Sequence, residues 1–320
     1  MFPHMAWYNT KKEVKILITT ITLNPALDYV LTIPNLTLGA VNRVQTAELQ
    51  CGGKGLNVSI MLHALDVDNV ALGFIAGTTG TMLSEKLQQQ GIKADFISLA
   101  QGETRINVKL KAQTETDLNA AGPIVDDAAC EALFAKLDTL CDGDVLVLAG
   151  TVPSSMPQTV YETILKRLAV KHLKIVVDAT QDLLEKTLPY RPFLIKPNAF
   201  ELAELLHMTS TEESALIQAA HQVQALGAQN VLVSMAGDGA FLLDATGKIH
   251  RATAPKGQVK NSVGAGDSMV AGFLSAYLAT HDYAKALQMG VAAGSATAFS
   301  TQLATRAEIN ALYAKVQMER

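Results

Sequence analysis

NSVGAGDS, at residues 261–268, runs straight into the apolar segment MVAGFL at residues 269–274. The join predicts a loop of small residues that opens directly into a helix, with Asp267 in the helix's first turn. The first N–H groups of a helix have no partner inside it and its dipole is positive there, so this end attracts phosphate. A carboxylate beside such a site can accept the proton of an attacking hydroxyl. An N-capping aspartate on an ordinary core helix would show the same local pattern.

The composition favours a large α/β fold and argues against several functional classes. The chain has 320 residues, 49% of them apolar and 5% aromatic, which suits aliphatic helices packed on a sheet. Its net charge of −4 offers no basic surface for nucleic acid or for an anionic membrane. No apolar run reaches the roughly 18 residues that span a bilayer. The sparse cysteines lack metal-ligand spacing and favour a cytoplasmic protein: Cys51, Cys130 and Cys141.

The first strand is predicted within the β-branched segment Val14–Leu23. Residues 1–12, which precede it, lack a signal-peptide pattern and are expected to form a loose extension. Pro25 breaks the strand, and Asp28 follows just beyond its end. Because ligands of open parallel sheets bind beyond the carboxyl ends of the strands, Asp28 is a candidate for holding substrate hydroxyls. A simple turn aspartate is the alternative.

Two segments have a pattern of short alternating strands that differs from the rest of the chain. Strands are predicted at residues 30–33 and 41–47, and again at Arg105–Lys111 and Thr114–Asn119. A two-stranded piece is barely stable alone. We therefore expect the segments 29–50 and 105–122 to form one small sheet that covers a site or joins two subunits.

A second glycine-rich turn, GGKGLNVS, lies at residues 52–59 before an amphipathic helix. It is not a phosphate-binding P-loop, since no Ser or Thr follows Lys54 and the glycine spacing differs. Glycines before a helix suit the close approach of an anion or a sugar, with Lys54 as cation and Asn57 in the first turn. The alternative is a flexible turn with a surface lysine. Cys51, beside the turn, is predicted to be a packing residue.

Two further strand ends carry polar residues. Lys196, Asn198 and Glu201 follow one strand, and the last two share a helical face on which they could organise Mg²⁺ waters near phosphates. An ordinary first turn of a helix would contain the same residues. After another strand, Gly237 and Gly239 allow close approach of a flat ring or a ribose, or merely a tight hairpin.

The regular alternation of strands and helices predicts one doubly wound α/β domain over residues 13–320. Taken in order, the motifs resemble the ribokinase-like pfkB carbohydrate kinase family over almost all the chain after Lys12. The matching segments are NPALD at 24–28, GGKGLN at 52–57, KPN at 196–198 with Glu201, and VGAGDS at 263–268. The resemblance implies a mostly parallel sheet with helices on both faces and a small β-sheet lid. Segments 104–110 and 114–119 are most similar to bacterial fructose-1-phosphate kinases.

The resemblance also implies phosphoryl transfer from ATP with Mg²⁺ to a ketohexose monophosphate, and a homodimer formed through the lid. Asp267 would be the base, with a low pKa expected beside a helix N-terminus. The transferring phosphoryl would be held by N–H groups at Gly264, Ala265 and Gly266. The sugar phosphate would meet Asp28, Gly52, Gly53, Lys54, Asn57, Arg105, Asn107 and Lys109. ATP would meet Lys196, Asn198, Glu201, Ser234, Gly237, Gly239 and Ser262, with Glu201 acting on Mg²⁺ through water.

Fructose 1-phosphate, phosphorylated to fructose 1,6-bisphosphate, is the expected substrate, with Lys54 and Arg105 clamping its phosphate. Phosphorylation of tagatose 6-phosphate to tagatose 1,6-bisphosphate is the main alternative, because such kinases share every catalytic motif. A kinase of unphosphorylated sugars or nucleosides and a non-catalytic sugar-phosphate sensor are further alternatives. A dinucleotide-dependent dehydrogenase is disfavoured, because the first strand–helix turn lacks the sequence G-x-G-x-x-G.

Overall fold

The computed structural model describes residues 16–179 and 181–319. The expected loose extension at residues 1–12 lies outside the described residues. The helices are α1 Lys54–Ala64, α2 Gly77–Gln89, α3 Asp127–Leu137, α4 Val160–Leu168, α5 Gln181–Glu185, α6 Ala199–Leu205, α7 Glu213–Ala225, α8 Ala265–Thr280, α9 Tyr283–Phe299 and α10 Arg306–Tyr313, with short 3₁₀ turns at Leu188–Tyr190 and Ala236–Asp238. Within the described residues, no helix combines the length and apolarity needed to cross a bilayer.

The strands form one large sheet and one small sheet. In chain order they are β1 Ile18–Thr22, β2 Ala26–Thr32, β3 Thr46–Gly52, β4 Asn69–Ala76, β5 Ile97–Leu99, β6 Arg105–Lys111, β7 Thr116–Leu118, β8 Val145–Ala149, β9 Lys174–Asp178, β10 Leu194–Ile195, β11 Asn230–Ser234, β12 Ala240–Leu243, β13 Ile249–Thr253 and β14 Gln317–Met318. The large sheet has the order β14-β13-β12-β11-β10-β9-β8-β1-β4-β5 and is parallel from β11 to β5. The strands β12 to β14 are antiparallel.

Helices cover both faces of the large sheet, as the doubly wound prediction required. Residues of β8 alternate between two cores: Leu146 and Leu148 belong to one, Val145 and Val147 to the other. The first core contains apolar residues of α3, α4 and α7, and the second contains those of α1, α8 and α9. Both faces of the parallel strands are therefore buried, which explains their continuous apolar sequences. The predicted ribokinase-like fold class is confirmed.

The small sheet has the order β3-β2-β6-β7, so the two predicted hairpins join side by side. Strands β2 and β6 pair in parallel, with Asp28 opposite Asn107, while both outer pairs are antiparallel. The predicted bounds of the first hairpin were wrong: its strands cover 26–32 and 46–52 instead of 30–33 and 41–47. Strand β2 pairs with β3 on one side and with β6 on the other over its whole length, and this pairing between distant segments outweighs the local alternation that guided the prediction.

Candidate active site

The parallel strands around β1 end at one edge of the large sheet, and the candidate residues collect there. Strand β1 lies between β8 and β4. Asp178 is the last residue of β9, and Lys196 follows β10 directly. After β1 the chain forms β4 on one side of β1 and later forms β8 on the other side. Where the strand order reverses in this way, a crevice opens at the carboxyl ends of the strands. Helices α1 and α8 start at the same edge, and they pack on each other.

Helix α8 begins as the NSVGAGDS segment predicted, with Gly264 as its N-cap. Gly264 has φ +79°, a left-handed conformation that glycine adopts without strain. A Cβ on Gly264 would also lie 2.6 Å from Cδ2 of Leu303. No side chain caps this helix, so Asp267 is not the N-capping aspartate of the alternative interpretation. Apart from the N–H of Ala265, which donates to the carbonyl of Ser262, the N-terminal end of α8 is thus left for a ligand that accepts hydrogen bonds from backbone N–H groups.

Asp267 is buried in the first turn of α8 and faces α1. Nδ2 of Asn57 donates a hydrogen bond of 2.8 Å to Oδ2 of Asp267. Burial raises the pKa of Asp267 to about 7, and the negative charge of Asp178 adds to this effect. The low pKa expected from the helix dipole was therefore wrong, because desolvation of a carboxylate that is 5% exposed outweighs the dipole. A pKa near neutrality suits a general base.

Asp178 was missed in the sequence analysis, although it sits at the centre of the site's charges. Its Oδ1 lies 3.1 Å from Nζ of Lys54 and 3.6 Å from Nζ of Lys196. Burial alone would raise the pKa of Asp178, but Lys196 and Lys54 outweigh it and hold the pKa below its ordinary value. Its position at the carboxyl end of a buried strand, the signal already used for Asp28, could have identified it.

Lys54 belongs to this charged group. Burial alone would lower the pKa of Lys54, but Asp178, followed by Asp267 and Glu201, raises it. Arg105 has different neighbours: its Nε donates to the carbonyl of Asn24 at 3.2 Å, and Nη1 donates to the carbonyl of Ala120 at 3.3 Å. The structure thus brings Lys54 towards Asp267. Arg105 is the first residue of β6 in the small sheet, so a joint clamp by Lys54 and Arg105 remains a prediction.

The residues expected at the sugar meet on one face of the small sheet. Asn107 donates a hydrogen bond of 2.8 Å from Nδ2 to Oδ1 of Asp28. Nζ of Lys109 lies 4.0 Å from Oδ2 of Asp28. A Cβ on Gly52 would lie 2.6 Å from the carboxylate of Asp28, so only glycine leaves this carboxylate in place. Asp28 is therefore a fixed hydrogen-bond acceptor on this face of the small sheet.

The turn after β3 brings α1 against the end of β1. Gly53 is the N-cap of α1, with φ +127°. The neighbouring thiol of Cys51 packs in a small core with Leu49 and Ile60, and burial raises the pKa of this thiol to about 11. Cys51 is thus a packing residue and not a nucleophile, as predicted.

On the predicted nucleotide side, Asn198 and Glu201 form a capping box on α6. Oδ1 of Asn198 accepts from the backbone N–H of Glu201, and Oε2 of Glu201 accepts from that of Asn198, both at 2.8 Å. Ser234, at the end of β11, forms a β-bridge with Asn198. These contacts match the ordinary helix start that was the alternative interpretation, and they also fix the position of the Glu201 carboxylate.

The remaining candidates for nucleotide contacts lie in loops near these elements. Gly239 has φ +101° and lies against the carbonyl of Ala252, whereas a Cβ on Gly237 would meet no atom within 4 Å. Ser262 is exposed in the loop before α8, and its carbonyl accepts from the N–H of Ala265 at 3.3 Å. Whether these residues contact ATP stays a prediction.

The residues present fit a magnesium ion that is bound chiefly by substrate. Among the described residues, no cluster of three or more His, Cys, Asp or Glu could hold a metal ion. Mg²⁺ commonly uses one or two carboxylates together with water and substrate phosphates, so a dedicated protein cage is not required. Glu201 offers a carboxylate with acceptor capacity beyond its bond to Asn198.

Comparison with known proteins agrees with this arrangement. The chain is 40% identical to a 1-phosphofructokinase of Bacillus subtilis, over 95% of this chain and 100% of that protein. It is 33% identical to a D-tagatose-1-phosphate kinase of Bacillus licheniformis, over 94% and 99% respectively. The tetrameric inhibited form of Escherichia coli phosphofructokinase-2 shares the fold, with a TM-score of 0.86 at 24% identity and coverage of 94% and 99%. Residues 18–310 match the sequence model of the pfkB family carbohydrate kinases, and the chain therefore belongs to this family.

Proposed function

We propose that this kinase transfers the γ-phosphoryl group of ATP to the C6 hydroxyl of fructose 1-phosphate, giving fructose 1,6-bisphosphate and ADP. The observation that carries the proposal is the buried carboxylate of Asp267, fixed by Asn57 at the N-terminus of α8. The polar face of the small sheet borders a cleft whose lining includes Asp28 and Lys109 of this sheet and Asn261 and Val263 of the loop that leads into α8. A sugar phosphate in this cleft can therefore reach both the acceptor groups of the sheet and Asp267.

In the proposed reaction, the C6 oxygen attacks the γ-phosphorus while the bond from that phosphorus to the β,γ-bridging oxygen breaks. Asp267 accepts the hydroxyl proton, and its pKa of about 7 leaves much of it ionised at neutral pH. N–H groups at the start of α8 face the charge that spreads over the transferring phosphoryl oxygens. The ammonium groups of Lys54 and Lys196, both beside Asp178, add positive charge near the transfer path.

Mg²⁺, when bound with ATP, would neutralise part of the phosphate charge. Glu201 would hold it, through water, at the position that the capping box fixes. Asn57 and Asp28 keep their side chains in place before substrate arrives, so little reorganisation is needed during transfer. Most of the catalysis then comes from positioning and charge stabilisation, as phosphoryl transfer requires.

Tagatose phosphates are the second candidate substrates. The names of the Bacillus subtilis and Bacillus licheniformis relatives both specify a sugar with a 1-phosphate. They favour a ketohexose 1-phosphate over tagatose 6-phosphate, the alternative substrate expected from the sequence. Fructose and tagatose differ in the orientation of one hydroxyl, and such small differences have to be measured as ratios of kcat/KM.

The test is ADP release with MgATP and four sugars in parallel: fructose 1-phosphate, fructose 6-phosphate, tagatose 1-phosphate and tagatose 6-phosphate. We expect the highest kcat/KM with fructose 1-phosphate; a preference for either 6-phosphate would overturn the substrate assignment. Asp267→Ala should retain ATP binding and lose turnover by several orders of magnitude. Asp127→Ala, which removes an exposed acid from the first turn of α3, is the matched control. Unchanged turnover in Asp267→Ala would refute the base.

We also propose a homodimer through the small sheet. Leu49, Tyr29, Val108 and Leu118 form one row across its four strands, and Tyr29 and Leu118 are 38% and 55% exposed. Tyr29 and Leu118, the exposed members of this row, offer apolar surface that suits a second copy of the chain. Leu118→Glu should give monomers in sedimentation analysis and Val170→Glu, on another surface, should not.

The three free cysteines agree with the proposed cytoplasmic location.

A further inference from the structure

The hairpin β6–β7 carries cations on one strand and carboxylates on the other. Arg105, Lys109 and Lys111 alternate with apolar residues along β6 and so share one face of the sheet. Lys109 lies directly opposite Asp117 in the antiparallel register, and their Nζ and Oδ2 atoms are 3.1 Å apart. Nζ of Lys111 lies 3.9 Å from a carboxylate oxygen of Glu115. Both lysines that face the sugar cleft thus have carboxylate neighbours on the same hairpin.

Arg105 is in a different situation from Lys109. Two of its five N–H donors bond to backbone carbonyls, which anchor the guanidinium without neutralising it. The side chain of Lys109 is only 15% exposed and already has a carboxylate partner, whereas that of Asp117 is 49% exposed. A phosphate that enters the cleft therefore meets Lys109, a lining cation that is already occupied, while the anchored Arg105 lies four residues earlier on the same strand.

We propose that Asp117 is a specificity-determining residue that competes with the substrate's phosphate for Lys109. The inference rests on the proposed function. A phosphate dianion can displace Asp117, because it brings two charges and three acceptor oxygens to Lys109. The displaced carboxylate is half exposed and regains water. An unphosphorylated sugar offers Lys109 nothing better than Asp117, so the ion pair stays closed and the sugar is disfavoured. Asp117 thereby lowers the affinity for every anion and selects for the most strongly charged one.

Asp117→Asn tests this directly, because it removes the competing charge and leaves a side chain of the same size. We expect KM for fructose 1-phosphate to fall about two- to fivefold, the range set by an exposed ion pair, while kcat and KM for ATP stay within error. The effect should shrink at high ionic strength. Asp95→Asn is the matched control, since Asp95 forms an exposed ion pair with Lys136 elsewhere and should leave all constants unchanged.

A double-mutant cycle shows whether Asp117 competes with the substrate for Lys109 or instead holds Lys109 in place for the substrate. If Asp117 competes for Lys109, then Asp117→Asn in a Lys109→Met background should leave KM for the sugar unchanged. An Asp117→Asn variant with a higher or unchanged KM would overturn the proposal, since it would mean that Asp117 orients Lys109 or is irrelevant to it.

Calorimetric titration with inorganic phosphate tests the proposal independently of the sugar. Asp117→Asn should bind inorganic phosphate more tightly than the wild type, by the same factor of about two to five. If the wild type phosphorylates none of the four sugars, the proposed function fails, and the phosphate titration still decides the role of Asp117. An equal phosphate affinity in the two proteins would refute it.

Discussion

Replacing Asp267 with asparagine should stabilise the protein increasingly as the pH rises, although it abolishes the proposed base. The carboxyl group has a pKa of about 7 in the folded protein, against an ordinary value of 3.8. Between these values the folded state binds more protons than the unfolded state, so stability falls as the pH rises. The difference between the two pKa values corresponds to a total loss of about 4 kcal/mol in the free energy of unfolding. About 2.5 kcal/mol of this loss occurs between pH 5 and pH 8.

The pH-dependent part is the informative quantity. The introduced asparagine can keep a hydrogen bond with Asn57 and does not titrate, so any change that it causes in packing or hydrogen bonding is the same at pH 5 and at pH 8. We therefore expect the free energy of unfolding of Asp267→Asn, relative to that of the wild type, to be about 2.5 kcal/mol larger at pH 8 than at pH 5, so that the variant gains relative stability at the higher pH. Guanidinium unfolding at the two pH values measures this difference.

An exposed aspartate supplies the control for this experiment. The hydrogen bond from Arg167 and its charge hold the pKa of Asp138 below its ordinary value, so this group is ionised in both states at pH 5 and at pH 8. Asp138→Asn should therefore change stability equally at the two pH values. If Asp267→Asn behaves in the same way as Asp138→Asn, the buried carboxylate titrates normally, and the argument for a base poised near neutrality fails.

Two further predictions concern the neighbours of Asp267. Asp178→Asn should lower the free energy of unfolding by about 3–5 kcal/mol, because it leaves the buried ammonium of Lys196 without its partner. Asp138→Asn, at an exposed ion pair, should lower it by less than about 1 kcal/mol. Similar losses for the two variants in guanidinium unfolding would contradict this prediction. Gly52→Ala should raise KM for the sugar about tenfold or more by displacing the Asp28 carboxylate, and should leave KM for ATP within about twofold. Steady-state kinetics with both substrates varied measures the two KM values, and an equal rise in both would contradict the prediction.

The local sequence predicted those site residues whose position follows from a single strand end or helix start. Asp267 in its helix and Asn57 in the first turn of α1 are examples. Their hydrogen bond joins residues 210 positions apart, and no local pattern encodes it. Asp178 was missed although its strand end is visible in the sequence KIVVD, because the two lysines that give it its importance come from α1 and from the residue after β10.

The small sheet shows where sequence patterns mislead. Its predicted second strand followed the alternation at 41–47, yet the observed strand runs to Gly52 because Gln50 and Cys51 pair with Asp28 and Leu27. The expectation of a low pKa for Asp267 failed similarly. A helix N-terminus is visible in the sequence, but burial and a second carboxylate from another strand are properties of the assembled fold, and they outweighed the dipole.

The charges at the head of α8 are balanced in a way that suits an enzyme whose substrates are anions. Lys54 and Lys196 share Asp178, and Asp267 lies close enough to interact with all three. Two buried acids and two lysines leave the site nearly neutral when Asp267 is ionised and positive when it is protonated. The positive form attracts phosphate, but the ionised form is the one that can accept a proton. A pKa of about 7 keeps both forms accessible at neutral pH, which a carboxylate with its ordinary pKa would not do.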